Sequence, residues 1–333
     1  MPSSAANRGP IFIVGCPRSG TTLMRRILDR HPSIAICPET QFQRLVYLRR
    51  KAFGDLRDLT NRRRLIDEYL SSRFVGRMNL DTAALAERLQ LEGANYKAMF
   101  SSLLRYYSDS QGKSRVGEKT PQHALFLETL CEWFPDAVIV HMVRDPRASV
   151  ASMQRMPWRR SVVANARIWL TLNQAVRRFR EWPGYLEVRY ESLVTDPEGE
   201  LRRICPFIGE EYSPSMLVPE QDPAETSADW LRSRTAVTAE RLEVWRRDLT
   251  KAQVAQIEWA LGPELENFGY VREAPPASAL TAMRGASYAA FDFARFVMAR
   301  LPAVWYRFGA QTKIAKFERW EGPKAPRKAA DGS

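Results

Sequence analysis

The 333-residue chain is short of the residues that build metal sites and nucleophilic centres, with three histidines and four cysteines. Cys16, Cys37, Cys131 and Cys205 stand far apart with no metal-ligand spacing, which argues against a zinc site and leaves small buried thiols as the expectation. None of His31, His123 and His141 has a metal-motif neighbour, so no metal is expected. No stretch approaches 18 uninterrupted apolar residues, so hydropathy indicates no membrane-spanning helix. The opening MPSSAANRGP lacks an apolar signal region, and a cytoplasmic location is the default expectation. Acidic residues are also in deficit: 38 Asp and Glu face 50 Lys and Arg, a net charge of +12 that favours anionic partners. Nucleic acid is set aside as the partner, because the arginines are spread along the chain with neither zinc spacing nor an RNP aromatic motif.

One further absence is local and more informative. Ile11–Leu23 reads IFIVGCPRSGTTL: a buried strand, a tight glycine-containing turn, then a helix from about Thr21. That order puts the N–H groups of Arg18, Ser19, Gly20, Thr21 and Thr22 at a helix N-terminus, where free amides and the helix dipole favour an anion. A nucleotide-triphosphatase loop reads GxxxxGK[ST]. Gly15 and Gly20 have that spacing and Thr22 fills the last place, but Thr21 stands where the lysine belongs and the cation is Arg18. A phosphate ester fits this loop better than a metal-bound triphosphate.

The rest of the chain alternates strand and helix. Short strands are expected at 33–36, 115–117, 137–143 and 186–189, with helices over 124–133, 147–153, 161–182 and 198–208. The apolar run AVIVHMV at 137–143 has the character of a strand buried on both faces. This alternation predicts an α/β protein, a three-layer P-loop-type fold with a mainly parallel central sheet flanked by helices. Residues 40–115 read as a largely helical excursion carrying basic runs at 49–51 and 62–64. The main domain is expected over 11–274 after a flexible start at 1–10, followed by a basic, aromatic helical extension at 275–322 and a disordered tail at 323–333. Residues 281–333 hold ten Lys or Arg against four Asp or Glu, half the net charge. Packing on its own domain and contact with an acidic partner or an anionic membrane surface both suit that segment; a homodimer is equally compatible with the chain.

A second anion site follows the strand at 137–143. Arg144 lies beyond its carboxyl end, where ligands of open parallel sheets bind. Ser149 and Ser152 are three apart at the start of the next helix and share a face. One guanidinium and these hydroxyls suit a second phosphate; Asp145 reads as the helix cap. Two such sites imply a nucleotide with phosphate at both ends of its ribose.

Here the chain resembles the PAPS-dependent sulfotransferases, whose donor is 3′-phosphoadenosine-5′-phosphosulfate. PRSGTTL at Pro17–Leu23 is similar to the family's 5′-phosphosulfate loop, and VRDPRASVASM at Val143–Met153 to its 3′-phosphate segment. EKTP at Glu118–Pro121 and VRYESLV at Val188–Val194 also match, in an order closest to the tyrosylprotein and carbohydrate branches. The likeness spans 11–270; it is loose over 40–115 and absent from 275 onward. It implies metal-free, in-line sulfuryl transfer from PAPS to an acceptor hydroxyl of a carbohydrate, glycolipid, tyrosyl group or other small molecule, with PAP as product. It also implies Glu39 as general base, with Arg18 and Lys119 stabilising the departing phosphate, and Tyr190 and one of Arg232 or Arg234 at the nucleotide. The stretch 243–246 resembles part of the loop that folds over the donor. The bland alternatives are a helix-start charge for Glu39, a solvated turn lysine for Lys119 and a core tyrosine for Tyr190. His31 and His123 are rival bases, and His141 reads as structural. The other functions open to the sequence are a P-loop kinase of a small metabolite and a nucleotide- or membrane-binding adaptor without catalysis. The missing loop lysine has a physical account in this setting: a sulfuryl group carries less charge than a terminal phosphoryl, so less has to be neutralised.

Overall fold

The computed structural model describes residues 9–157, 160–218 and 242–275, together with Met283 and Ser287. The expectations for Arg232, Arg234, the C-terminal extension and the tail lie outside the described residues, Met283 and Ser287 excepted.

Along the chain run β1 (Ile11–Gly15), α1 (Thr21–Asp29) and β2 (Ile34–Cys37), then the excursion helices α2 (Phe42–Leu45), α3 (Arg50–Phe53), α4 (Leu59–Leu70), α5 (Arg73–Gly76), α6 (Thr82–Glu92) and α7 (Tyr96–Ser110). β3 (Arg115–Lys119) follows, then a 3-10 turn at Pro121–Leu125, α8 (Leu127–Trp133), β4 (Val138–Val143), α9 (Pro146–Gln154) and α10 (Val162–Arg177). β5 (Tyr185–Arg189), α11 (Tyr190–Thr195) and α12 (Pro197–Phe207) complete the sheet's coverage, and three helices at Val244–Asp248, Lys251–Leu261 and Glu264–Asn267 close the described chain. None of the described helices is long and apolar enough to cross a membrane.

The five described strands form one parallel sheet in the order β2-β3-β1-β4-β5. Alternation along β1 sends Phe12 and Val14 into one apolar layer, with Phe100, Leu103, Val163 and Trp169. Ile11 and Ile13 go to the other, with Met24, Ile27, Leu28, Leu201 and Ile204. Both layers are covered by helices, which is why the strands are apolar on both faces. β1 is central: the chain crosses to β2 and β3 on one side, then returns to β4 and β5 on the other. The reversal makes the carboxyl end of β1 a topological switch point, the place where open α/β sheets bind ligands.

Three expected boundaries move by more than one residue, and one is the helix expected over 161–182, which ends at Arg177 and passes into turns up to Gly184. β3 runs on through Glu118 and Lys119, because Cys37 pairs with Glu118 and Ile13 with Lys119. The helix expected from residue 124 begins as the 3-10 turn, since Pro121 sits at its first position and the α-helix starts only at Leu127. Helices α4, α6 and α7 start on the side-chain caps Asp58, Asp81 and Asn95.

His141 is fully buried in β4, with Nδ1 2.8 Å from the Tyr185 hydroxyl and Nε2 2.9 Å from Asn173 Oδ1. Asn173 Nδ2 donates to the Trp169 carbonyl at 2.8 Å, which turns its amide oxygen toward the ring and assigns the His141 proton to Nε2. Burial pushes this imidazole down to about 4. The folded value lies below the unfolded one, so the unfolded chain binds more protons between roughly pH 6.5 and 4 and stability falls with pH across that window, by on the order of 3 kcal/mol. Urea midpoints from pH 7 to 4.5 should therefore drop more steeply for the wild-type protein than for His141→Gln. Equal slopes would remove His141 from the account.

Candidate active site

The loop after β1 is shaped by left-handed backbone. Gly15 has φ 143°, Arg18 φ 73° and Gly20 φ 89°. A Cβ on Gly20 would lie 2.4 Å from the Tyr190 ring, and one on Gly15 2.4 Å from the Met142 carbonyl oxygen. Glycine is required at both places by space as well as by φ. Helix α1 has no side-chain cap, and Met24 N–H is the amide that bonds back to Gly20 at 3.0 Å. The amides of Thr21, Thr22 and Leu23 thus precede the helix's own ladder and are suited to an anion. Ser19 departs from the expectation: its N–H donates to the Cys16 carbonyl at 3.2 Å and is spent inside the turn.

The second anion segment is built onto this loop. Arg18 Nε donates to Ser152 Oγ at 3.0 Å, Ser19 Oγ and Ser149 Oγ are 3.5 Å apart, and Arg144 Nη1 donates to the Arg18 carbonyl at 3.2 Å. The loop after β1 and the start of α9 form one surface. Arg144 stacks on Tyr190, its guanidinium carbon 4.1 Å from the ring centroid. Burial lowers the Arg144 pKa, with Tyr190, Glu191 and Asp145 opposing. Tyr190 is buried between Gly20 and Arg144 as the first residue of α11, so it packs against both the loop and the Arg144 segment.

The Arg144–Asp145 turn is braced by groups that the sequence did not single out for it. Trp169 Nε1 donates to the Arg144 carbonyl at 2.9 Å, and Asp145 N–H donates to Glu191 at 2.8 Å. Asp145 caps α9 through the Arg147 N–H, as expected. Arg147 is held by Asp145 and by buried Glu258, whose carboxylate also accepts from the Glu273 and Ala274 amides. The segment at 243–246 packs against this start of α9, with Arg147 4.4 Å from the Trp245 ring centroid.

The third group of residues stands at the ends of β2 and β3. Lys119 Nζ donates to Glu39 Oε1 at 2.7 Å. Lys119 is buried and Glu39 about a third exposed. Burial lowers the Lys119 pKa, and Glu39 draws it part of the way back. On its other oxygen Glu39 meets Gln41 Nε2 at 3.4 Å; Gln41 also donates to Gln122 and accepts from Arg44. Of the rival bases, His31 lies away from this group, on the Glu211 carbonyl and the Ser33 amide. His123 is buried beside Glu118.

All five strands thus contribute at their carboxyl ends: the loop 15–20 from β1, Glu39 after β2, Lys119 on β3, Arg144 after β4 and Tyr190 after β5. The register explains the convergence, since Ile13 pairs with both Lys119 and Val140, and Val143 with Arg189.

The comparisons with known proteins agree with this architecture. A family model described as the sulfotransferase family matches residues 10–214. The chain belongs to that family of transferase enzymes. It is 28% identical over 288 residues to protein-tyrosine sulfotransferase 2 of Gallus gallus, covering 80% of this chain and 70% of that one. It is 25% identical over 285 residues to nodulation protein NoeE of Sinorhizobium fredii, covering 76% of this chain and 64% of that one, so it spans less than two thirds of that relative. Among solved structures it is similar to the sulfotransferase domain of the Synechococcus PCC 7002 olefin synthase, with a TM-score of 0.56, 23% identity, and coverage of 83% of this chain and 99% of that one. That last likeness concerns the fold.

Proposed function

We propose that the protein transfers a sulfuryl group from PAPS to an acceptor hydroxyl, with Glu39 as the base. The observation that carries this is the joining of the two anion segments through Arg18. It bonds Ser152 with its side chain and Arg144 with its carbonyl, so a nucleotide phosphorylated at 5′ and 3′ meets one continuous surface. The chemistry of the groups fits: uncapped helix amides and Arg18 suit a 5′-phosphosulfate, and Arg144, Ser149 and Ser152 a 3′-phosphate.

Each residue then has a task. Lys119 and Arg18 meet the charge that builds on the 5′-phosphate oxygen as it departs. Glu39 takes the proton of the attacking hydroxyl. Lys119 is paired with Glu39 in this structure, so a donor anion in the loop offers its ammonium a second partner and leaves the carboxylate to the acceptor. The names of the protein-tyrosine sulfotransferases make a tyrosyl hydroxyl the first acceptor to try.

Thermal shift separates this proposal from a kinase. PAP should raise the melting temperature without added metal, whereas 5′-AMP and Mg²⁺-ATP should raise it less. A larger shift with Mg²⁺-ATP would overturn the donor assignment.

A further inference from the structure

Glu118 is fully buried at the carboxyl end of β3, yet its carboxyl is densely hydrogen-bonded. Its Oε1 accepts from the Thr40 N–H at 3.0 Å and the Thr40 hydroxyl at 2.9 Å, and also from the Thr120 hydroxyl. Its Oε2 lies 3.0 Å from His123 Nδ1, within ion-pair range though outside hydrogen-bond alignment. Thr40 is pinned from two further sides: its hydroxyl accepts from the Phe42 amide at 3.2 Å, and its carbonyl from Tyr69 at 3.0 Å. Burial raises the Glu118 pKa, but His123, Thr120 and Thr40 outweigh it and hold the carboxyl below its ordinary value.

A buried, hydrogen-bonded carboxyl of this kind is a poor way to gain stability, because apolar side chains of the same volume are often as good or better. Its position suggests another use. Thr40 directly follows Glu39, and Lys119 directly follows Glu118 in the chain. One carboxylate on β3 therefore ties down the residue next to the base and adjoins the residue that carries the ammonium. Other than this tie, Glu39 is held by its own pair with Lys119 and a long contact to Gln41. The first of these is the contact that a donor competes for.

We propose that Glu118, with His123 at its second oxygen, is the positioning residue of the transfer reaction, holding Glu39 in place by way of Thr40 when Lys119 turns to the donor. This rests on the reading of Glu39 as base. It assigns a task to the Glu118–His123 pair, which touches neither nucleotide segment. Displacing a reacting group by about 1 Å costs on the order of 10²-fold in rate, so loss of the tie should appear in turnover and leave nucleotide affinity alone.

Hydrolysis of PAPS tests this without knowledge of the acceptor. Water attacks sulfur, the bond from sulfur to the 5′-phosphate oxygen breaks, Glu39 takes the proton, and PAP and sulfate leave. Thr40→Val keeps the shape and the backbone amide but removes the hydroxyl; turnover should fall about 10-fold with the PAP dissociation constant within about threefold. Glu118→Gln should lower turnover about 30- to 100-fold with equally little effect on PAP. Thr40→Ser, which keeps the hydroxyl, should stay within about threefold of wild type in both measurements. Unchanged turnover in Thr40→Val and Glu118→Gln, or PAP affinity falling in step with turnover, would overturn the positioning role. Where Glu118→Gln does not fold, the Thr40 pair decides. Glu39→Gln is the separating control: full turnover there removes the base itself, whereas loss there with none in the Thr40 and Glu118 variants removes the tie alone.

Discussion

Glu39→Gln should lower the proposed sulfuryl transfer by about 10²- to 10⁴-fold, the range a general base supplies, and leave the PAP dissociation constant within a few-fold of wild type. The substitution removes a charge and a proton acceptor while preserving shape. The groups proposed to hold the nucleotide in the loop and at the 3′-phosphate (the loop amides, Arg18, Arg144, Ser149 and Ser152) keep their contacts, because Glu39 bonds Lys119 and Gln41, and Lys119 keeps its charge. The check is single-turnover transfer from PAPS beside PAP titration. A variant that transfers normally, or loses PAP binding in proportion to activity, would take Glu39 out of the base role. His123 would then be the next candidate base, since its Nε2 has no hydrogen-bond partner among the described residues.

The second large effect belongs to Arg144. Arg144→Ala should weaken PAP about 100-fold, some 3 kcal/mol, within the range for truncating one side of a buried charge pair. The same variant should change the affinity for 5′-AMP by no more than about threefold, because 5′-AMP lacks the phosphate that Arg144 is proposed to hold. The comparison is needed because Arg144 also supports the Arg18 carbonyl and covers Tyr190, and a loop that depended on those contacts would lose both nucleotides alike. Titration of both nucleotides into both proteins yields the coupling directly. Equal weakening would mean that Arg144 is a prop of the loop. Arg144→Lys should recover only part of the loss, since lysine keeps the charge but neither the planar fork nor the stacking on Tyr190.

Much of this site was legible in the chain for local reasons. The loop at 15–22 could be read because glycine spacing, a buried strand before it and a helix after it are all written within about twelve residues. Arg144 could be read because AVIVHMV has the character of an interior strand and the residues after such a strand emerge at one end. Glu118 illustrates the opposite case. As the first letter of EKTP it looks like an ordinary turn residue, and its role rests on Thr40, 78 positions away, and on the pairing of β2 with β3. The same holds for Trp169, Glu191 and Glu258: a tryptophan amid an apolar helix, a glutamate at a helix start and a glutamate on an amphipathic helix carry no signal until their partners are known. The spent N–H of Ser19 is likewise not legible in the sequence, since the left-handed φ of Arg18 that tightens the turn is unusual for a non-glycine residue.

Sequence by itself determined the class of fold and supplied the expectation of an anion loop and a second anion segment, because hydrophobic period, glycine placement and helix starts are properties of neighbours along the chain. Tertiary structure decided which of the charged residues act together. Five parallel strands in the order β2-β3-β1-β4-β5 bring residues from 15 to 190 to one edge, pair Lys119 with Glu39, and place Glu118 under the turn that carries Glu39. The physical reason is that ion pairs and buried hydrogen bonds are set by distance in space, and in a doubly wound sheet that distance depends on strand order and register.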